Sequence, residues 1–166
     1  MGNLELLLPE IFISLSIMFL LILGVFKKNS SKLIQNISLL VLLITAVITF
    51  NETLGINEVT LFNGSVVIDY LSSFMKIVTL VAAFLVLIIS SNYLKSLKIS
   101  KIEYPILILC SVLGMMIMIS SNDLIVFYMG LELQSLALYV LASFNRDQIR
   151  SSEAGLKYFV LSALSS

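Results

Sequence analysis

The sequence predicts an all-α integral membrane protein, a polytopic bundle of five full transmembrane helices plus a partial sixth. Three observations lead to this fold class. Apolar residues make up 59% of the 166 residues and charged residues only 12%. In soluble domains, apolar residues make up about 45–50% and charged residues about 25%. The charges recur at intervals of roughly 20 residues, the length of helix that crosses about 30 Å of hydrocarbon. Eight of the ten lysines and arginines also lie in alternate connections.

Charged or polar residues delimit each predicted segment. Pro9 and Pro105 stand at predicted helix starts, where a missing N–H costs little. The one long connection, from about Asn51 to Asp69, has alternating Val and Ile residues at Ser65–Ile68 and predicts a small hairpin outside the membrane. We treat the chain as one transmembrane domain, with approximate helices at residues 6–26, 33–51, 70–94, 104–121, 123–144 and 152–166.

Basic residues set the predicted orientation. The connections after the first, third and fifth segments hold Lys27, Lys28, Lys32, Lys95, Lys98, Lys101, Arg146 and Arg150, whereas the other side holds only Glu5, Glu10, Glu52, Glu58, Asp69 and Asp123. Because loops rich in Lys and Arg stay on the cytoplasmic side, we expect the N-terminus to face the periplasm or the intermembrane space.

Several classes of chemistry are excluded by composition. The chain has no His, and therefore no Ser-His-Asp triad and no His-ligated metal. Its one cysteine, Cys110, allows neither an intramolecular disulfide nor a four-thiolate iron–sulfur site. A net charge of zero without a basic cluster gives no surface for nucleic acid. Carboxylates, lysines, hydroxyls and water remain as the reactive groups.

Glu132 is the strongest candidate for a functional residue. It lies eight residues into the fifth segment, roughly 12 Å along the helix and too deep for its short side chain to reach the headgroups. Tyr128 and Ser135 share its face, and Tyr139 extends this polar stripe. An ionisable group inside a membrane is by default a candidate for a functional residue. The alternative is a neutral glutamate that only hydrogen-bonds to a neighbouring helix.

Two lysines also fall within predicted segments. Lys157 follows Glu153 at the favourable i,i+4 spacing, so the two form either part of a proton path or a simple ion pair at the helix entry. Lys76 lies about one and a half turns inside the third segment. We expect its long stem to reach the membrane interface, leaving it without a function.

The last third of the chain resembles subunit N of the proton-pumping NADH–quinone oxidoreductase, respiratory complex I, whose mitochondrial counterpart is subunit 2. Two blocks carry the resemblance, LELQSLALYVLA and EAGLKYFVL. Looser matches are an LPE near the start and DYLSSFMK before the third helix. The resemblance implies a membrane-arm subunit built of inverted five-helix repeats, an architecture common in transporters. It also implies that Glu132 pairs with a lysine on the seventh helix.

The resemblance implies further expectations about function. The protein would belong to a proton-translocating NADH:quinone oxidoreductase, without electron-transfer chemistry of its own. NADH, flavin, iron–sulfur clusters and quinone would be handled by other subunits of the complex. Its partners would be other membrane-arm subunits and the lipid bilayer. The location would be the bacterial inner membrane or, alternatively, the mitochondrial inner membrane.

The resemblance also leaves alternatives. The helix-7 lysine is not in this sequence, and we expect the chain to be a fragment of a longer reading frame or one piece of a split subunit. One rival function is a subunit of a multisubunit cation/proton antiporter, which shares the fold and the glutamate of the fifth helix. The other is a non-catalytic membrane assembly protein, in which Glu132 only holds helices together.

Overall fold

The computed structural model describes residues 5–26, 31–53, 58–96, 102–145 and 147–165. It confirms the predicted bundle. The helices are α1 (Leu8–Phe26), α2 (Ser31–Thr53), α3 (Tyr70–Ser96), α4 (Glu103–Ser120), α5 (Leu124–Ala142) and α6 (Ile149–Ser165), and a 3₁₀ turn at Glu5–Leu7 precedes α1. Within these residues, α1 to α5 are long and apolar enough to cross a membrane.

The predicted hairpin between α2 and α3 is confirmed. Strands β1 (Val59–Leu61) and β2 (Val66–Ile68) pair antiparallel, with Thr60 opposite Val67. The tight turn between them has left-handed backbone at Phe62 (φ 50°), Asn63 (φ 56°) and Gly64 (φ 92°). Asparagine and glycine adopt this region at least cost.

The hairpin marks one end of the bundle. A small apolar cluster joins its strands to Leu6 and Leu7 before α1 and to Val126 at the start of α5. The Asn122 N–H, between α4 and α5, donates to the Ser65 carbonyl at 2.9 Å. The start of α1, the α2–α3 connection and the α4–α5 connection therefore lie together. We call this end the hairpin end.

The opposite end collects the remaining connections. Ile102 and Ile34, before α4 and early in α2, lie against Gly24 near the end of α1. The rings of Tyr104, early in α4, and Phe144, after α5, are 5.7 Å apart. Successive helices therefore run in alternate directions, as the charge pattern requires. Of the basic residues behind that pattern, Lys27, Lys28, Lys98, Lys101 and Arg146 lie outside the described residues.

The apolar core lies among α1, α2, α3 and α4. Its fully buried side chains include Ile13 and Leu20 of α1, Leu42 of α2, Leu87 of α3 and Leu109 of α4. Large apolar side chains elsewhere on these helices point outwards, which is the arrangement expected when the surroundings are lipid. Helix α5 packs on α4, and α6 packs on α5.

Asp69 caps α3 at the hairpin end. Its Oδ1 accepts the Ser72 N–H at 2.7 Å, and the Ser72 Oγ accepts the Asp69 N–H at 3.0 Å. This reciprocal pair satisfies two backbone donors that a helix start leaves without partners. Hydrogen bonds from the Ser72 backbone and side chain hold the pKa of the Asp69 carboxyl below its usual value of 3.8.

We expect Asp69→Ala to lower the free energy of unfolding by about 1 kcal/mol, the usual cost of losing an N-cap. Because the pKa of Asp69 is lower in the folded state, the carboxylate stabilises the fold at neutral pH and loses that effect as the pH falls through this pKa. Unfolding of the full-length subunit in mixed detergent micelles measures the difference. Glu58→Ala, at an exposed residue beside β1, is the control, and an equal loss there would contradict the capping role.

Candidate functional site

The polar stripe of α5 runs through the middle of that helix. Glu132 is the ninth of its 19 residues, and its side chain is half-buried. The Ser135 hydroxyl donates to the Glu132 carbonyl at 3.0 Å. Tyr128, at the hairpin end, is 46% exposed, whereas Tyr139, near the other end, is 7% exposed. The stripe therefore passes from an exposed to a buried environment along α5.

Close contact between α4 and α5 fixes the face on which this stripe lies. Gly114 of α4 meets α5 at Gly130 and Gln134, where an added Cβ would lie 2.7 Å from backbone atoms. Glu132 is two residues from both contact positions, about 200° around the helix. The Glu132 carboxylate thus projects away from α4. Among the described residues, no lysine or arginine forms an ion pair with it.

Tyr139 connects the stripe to α6. Its hydroxyl is hydrogen-bonded to the Ser162 hydroxyl. Its ring stands edge-on to those of Tyr158 and Phe159, with centroids 4.8 Å and 5.8 Å away. Gly155 allows α6 to approach the end of α5, since a Cβ there would meet Ser143 at 2.5 Å. The buried half of the stripe therefore faces α6.

An open cleft reaches Tyr139 from the end opposite the hairpin. It encloses about 520 Å³ between the start of α4, the end of α5 and the start of α6. Its polar lining includes Glu103, Ser143 and Ser152 besides Tyr139. Ser135 and Glu132 follow Tyr139 along α5 at successive turns. Polar groups thus extend from this surface towards the middle of the helix.

Glu153 and Lys157 form the ion pair expected from their spacing. Their side chains meet at 2.5 Å, with 55% and 67% of their surfaces exposed. The two residues are one turn apart on α6, and in the described chain their side chains lie on the outside. Exposed pairs of this kind stabilise a helix by only a few tenths of a kcal/mol. Their part in a proton path stays a prediction.

The expected snorkelling of Lys76 is wrong. Lys76 is 2% exposed, and its Nζ lies 2.5 Å from Oε1 of Glu10, which is 8% exposed. The side chain turns into the bundle because α1 presents a carboxylate there, 66 residues away in the sequence. An isolated ammonium at this position would have needed the interface, but a paired one is held inside.

Glu52, at the end of α2, is half-buried and adds a second acidic group beside the buried Glu10–Lys76 pair at the hairpin end. It interacts electrostatically with both Glu10 and Lys76. Oε2 of Glu10 and Oε1 of Glu52 are buried and, within the described chain, accept no hydrogen bond. We call Glu10, Lys76 and Glu52 the buried triad. From the sequence, both glutamates are assigned only to the acidic side of the membrane and neither is given a role. The available signal is that each adjoins a hydrophobic segment at the same end.

Among the described residues, no three His, Cys, Asp or Glu side chains are grouped so that they could hold a metal ion. Cys110, in the middle of α4, is a free thiol and half-buried. The candidate groups for chemistry in the described part of the chain are the stripe of α5, the pair on α6 and the buried triad.

Comparisons with known proteins agree closely. Residues 121–166 match the family described as NADH:quinone oxidoreductase/Mrp antiporter, transmembrane. The whole chain is 68% identical to NADH-quinone oxidoreductase subunit N of Pelagibacter ubique (strain HTCC1062), of which it covers 35%. It is 50% identical over 160 residues to the protein of the same name from Paramagnetospirillum magneticum (strain ATCC 700264 / AMB-1), covering 96% of this chain and 32% of that protein. The chain thus spans about a third of the length of these relatives.

A solved structure has the same fold. A chain of respiratory complex I from Thermus thermophilus, determined with bound aureothin, superposes with a TM-score of 0.76. The match covers 94% of the present chain and 33% of that chain, at 24% sequence identity. At this identity the likeness concerns the fold.

Proposed function

Because this chain belongs to the family of NADH-quinone oxidoreductase subunit N, we propose that it serves in the membrane arm of that complex and contributes to proton translocation coupled to quinone reduction. In this role it is part of a translocase and passes protons, not electrons. NADH, flavin, iron–sulfur clusters and quinone belong to other subunits, and its neighbours are other membrane-arm subunits and lipid. The bacterial relatives favour the bacterial inner membrane, with the N-terminus and the hairpin end on the periplasmic side.

The observation that carries the proposal is the position of Glu132. A carboxyl group stands at the middle of a helix that is long and apolar enough to span the membrane. Placing a charge there costs at least about 2.5–3.5 kcal/mol on insertion scales, which makes it a functional candidate. The contact of Gly114 with Gly130 turns this carboxyl group away from α4, where a group from another helix can reach it.

We assign Glu132 the switchable half of a carboxylate–lysine pair. The lysine is the helix-7 residue implied by the family resemblance, outside this chain. While the pair is closed, the ammonium keeps Glu132 ionised. When it opens, a carboxylate left alone in a low-dielectric site takes up a proton, and the lysine releases one. Conformational change driven by quinone reduction would bias this pair, and electrostatics would transmit the effect.

The described residues suggest the route by which a proton reaches Glu132. The cleft beside Tyr139 opens at the end opposite the hairpin, and water entering there would supply the proton. The Tyr139 and Ser162 hydroxyls are hydrogen-bonded there, and Ser135 lies between Tyr139 and Glu132 along the same face. A hydroxyl both donates and accepts, so these groups can relay a proton with water between them.

Glu132→Gln tests the proposal, because it keeps the shape of the side chain and removes its titration. In the full-length subunit we expect an assembled complex with a lower proton-to-electron ratio, and with lower coupled quinone reductase activity. Proton pumping by inverted membrane vesicles, measured with assembly on native gels, is the readout. Glu132→Asp should keep partial function, and Glu58→Gln should pump normally.

The same experiment separates the rival functions. If the Gln variant assembles and pumps at the normal ratio, Glu132 only packs helices, as in an assembly protein. A subunit of a cation/proton antiporter would instead lose sodium-dependent proton exchange in vesicles that are given no NADH. The names of the two relatives favour the quinone-linked complex.

A further inference from the structure

The buried triad carries more negative than positive charge. Its three members come from three helices, Glu10 from α1, Glu52 from α2 and Lys76 from α3. With every group ionised, two carboxylates would share one ammonium and leave a net charge of −1. Lys76 already contacts Oε1 of Glu10 at 2.5 Å. A buried carboxylate oxygen with neither a cation nor a hydrogen-bond donor beside it is disfavoured in its ionised form, so this excess charge needs compensation.

Among the residues that the structure describes, the neighbouring elements supply no second cation. Asp69, before α3, is a further acidic group that interacts with Lys76, and its carboxylate accepts the Ser72 N–H. In α4, the half nearest the hairpin end (Val112–Ser120) has no ionisable side chain. Asp123, before α5, is exposed. Among the described residues, Lys76 is thus the one cation that faces these acids.

Two carboxylate oxygens that lack a hydrogen-bond donor in the described chain indicate what compensates the negative charge. Oε2 of Glu10 and Oε1 of Glu52 are both buried acceptors to which no described donor bonds. A metal ion would be repelled by the Lys76 ammonium and would need several ligands. A proton needs no set of ligands, and it can bind to a carboxylate oxygen that accepts no hydrogen bond from Lys76. It converts one carboxylate into a carboxyl group, which donates as well as accepts, and it brings the net charge of the triad to zero.

We propose that the triad is a second protonation site of this subunit, at the hairpin end, in which Glu10 and Glu52 share one exchangeable proton. Thr49 and Ser73 place buried hydroxyls one turn from Glu52 and Lys76, so polar groups adjoin the site within the helices. The site is separate from Glu132 and does not depend on the proton path proposed for it.

Infrared titration of the purified complex with the full-length subunit tests this site. The wild type should show the C=O absorption of one protonated carboxyl group that shifts in D₂O and is lost on raising the pH. Glu52→Gln, which leaves the Glu10–Lys76 pair intact, should lose this absorption entirely. Glu10→Gln should lose it too, although Glu52 is retained, because one carboxylate then balances one ammonium. The exposed Glu58→Gln should keep it.

Two results would overturn the proposal. Superimposable spectra of the wild type and Glu52→Gln would mean that the triad holds no proton. An absorption that persists in Glu10→Gln would mean that burial alone keeps Glu52 protonated, without sharing. Should Glu52→Gln not assemble, Glu52→Asp must shift the absorption, and an unshifted absorption again overturns the site. No pumping assay enters this test, so its failure is distinct from that of the Glu132 proposal.

Discussion

Lys76→Met should lower the free energy of unfolding of the full-length subunit by about 3–5 kcal/mol, the cost of removing one partner from a buried ion pair. Methionine matches the aliphatic stem of lysine but lacks the ammonium group, and so leaves the Glu10 carboxylate without its cation. Glu10 is 8% exposed, so water cannot replace the lost contact. Unfolding in mixed detergent micelles measures the loss, and native gels should show less assembled complex.

The matched control is Lys157→Met, which removes the same side chain from an equally short but exposed pair. There the loss should stay within about 0.5 kcal/mol. Replacing both Glu10 and Lys76 by methionine should recover most of the stability, because an apolar pair needs no mutual compensation. Equal losses in the two single variants would show that the Glu10–Lys76 pair is no more than a surface contact.

The contrast between these two lysines shows what could be predicted from the sequence. The Glu153–Lys157 pair was predictable because its partners are four residues apart on one helix. The Glu10–Lys76 pair joins residues 66 positions apart, and only the fold brings them together, because α1 and α3 both pack on α2 and α4. A lysine near a helix end has the same sequence pattern whether it snorkels or turns inwards. Which direction the lysine side chain takes depends on whether an acidic partner lies inside the bundle, and the periodicity of the sequence does not reveal that partner.

The helices were predictable for a related reason. Their positions follow from long apolar runs, and their alternating direction follows from the basic residues, both of which are local properties of the chain. The depth of Glu132 follows from counting residues along α5. The direction in which it points does not, because that depends on the face of α5 that contacts α4. Two glycines determine this face, and isolated glycines in a sequence do not indicate which helix they approach.

The contact of Gly114 with Gly130 should therefore be the most size-sensitive position in the α4–α5 interface. A Cβ on Gly114 would lie 2.7 Å from the Gly130 carbonyl oxygen, and one on Gly130 would lie 2.9 Å from the Gly114 oxygen. These neighbours are backbone atoms, so no change of rotamer relieves the clash and the helices must separate. Small residues at such crossings let membrane helices pack closely.

We expect Gly114→Leu to destabilise the full-length subunit by about 3 kcal/mol, at the upper end of overpacking costs. Gly114→Ala should cost less, since the gain in helix propensity of about 1 kcal/mol offsets part of the clash. Both glycines belong to the same contact, so the first alanine already separates the helices. The double variant Gly114→Ala/Gly130→Ala should therefore lose less stability than the two single variants added together. Unfolding measurements test this, with Ala154→Leu on the exposed face of α6 as control. Additive losses, or an effect no larger than the control, would show that α4 and α5 do not touch through these residues.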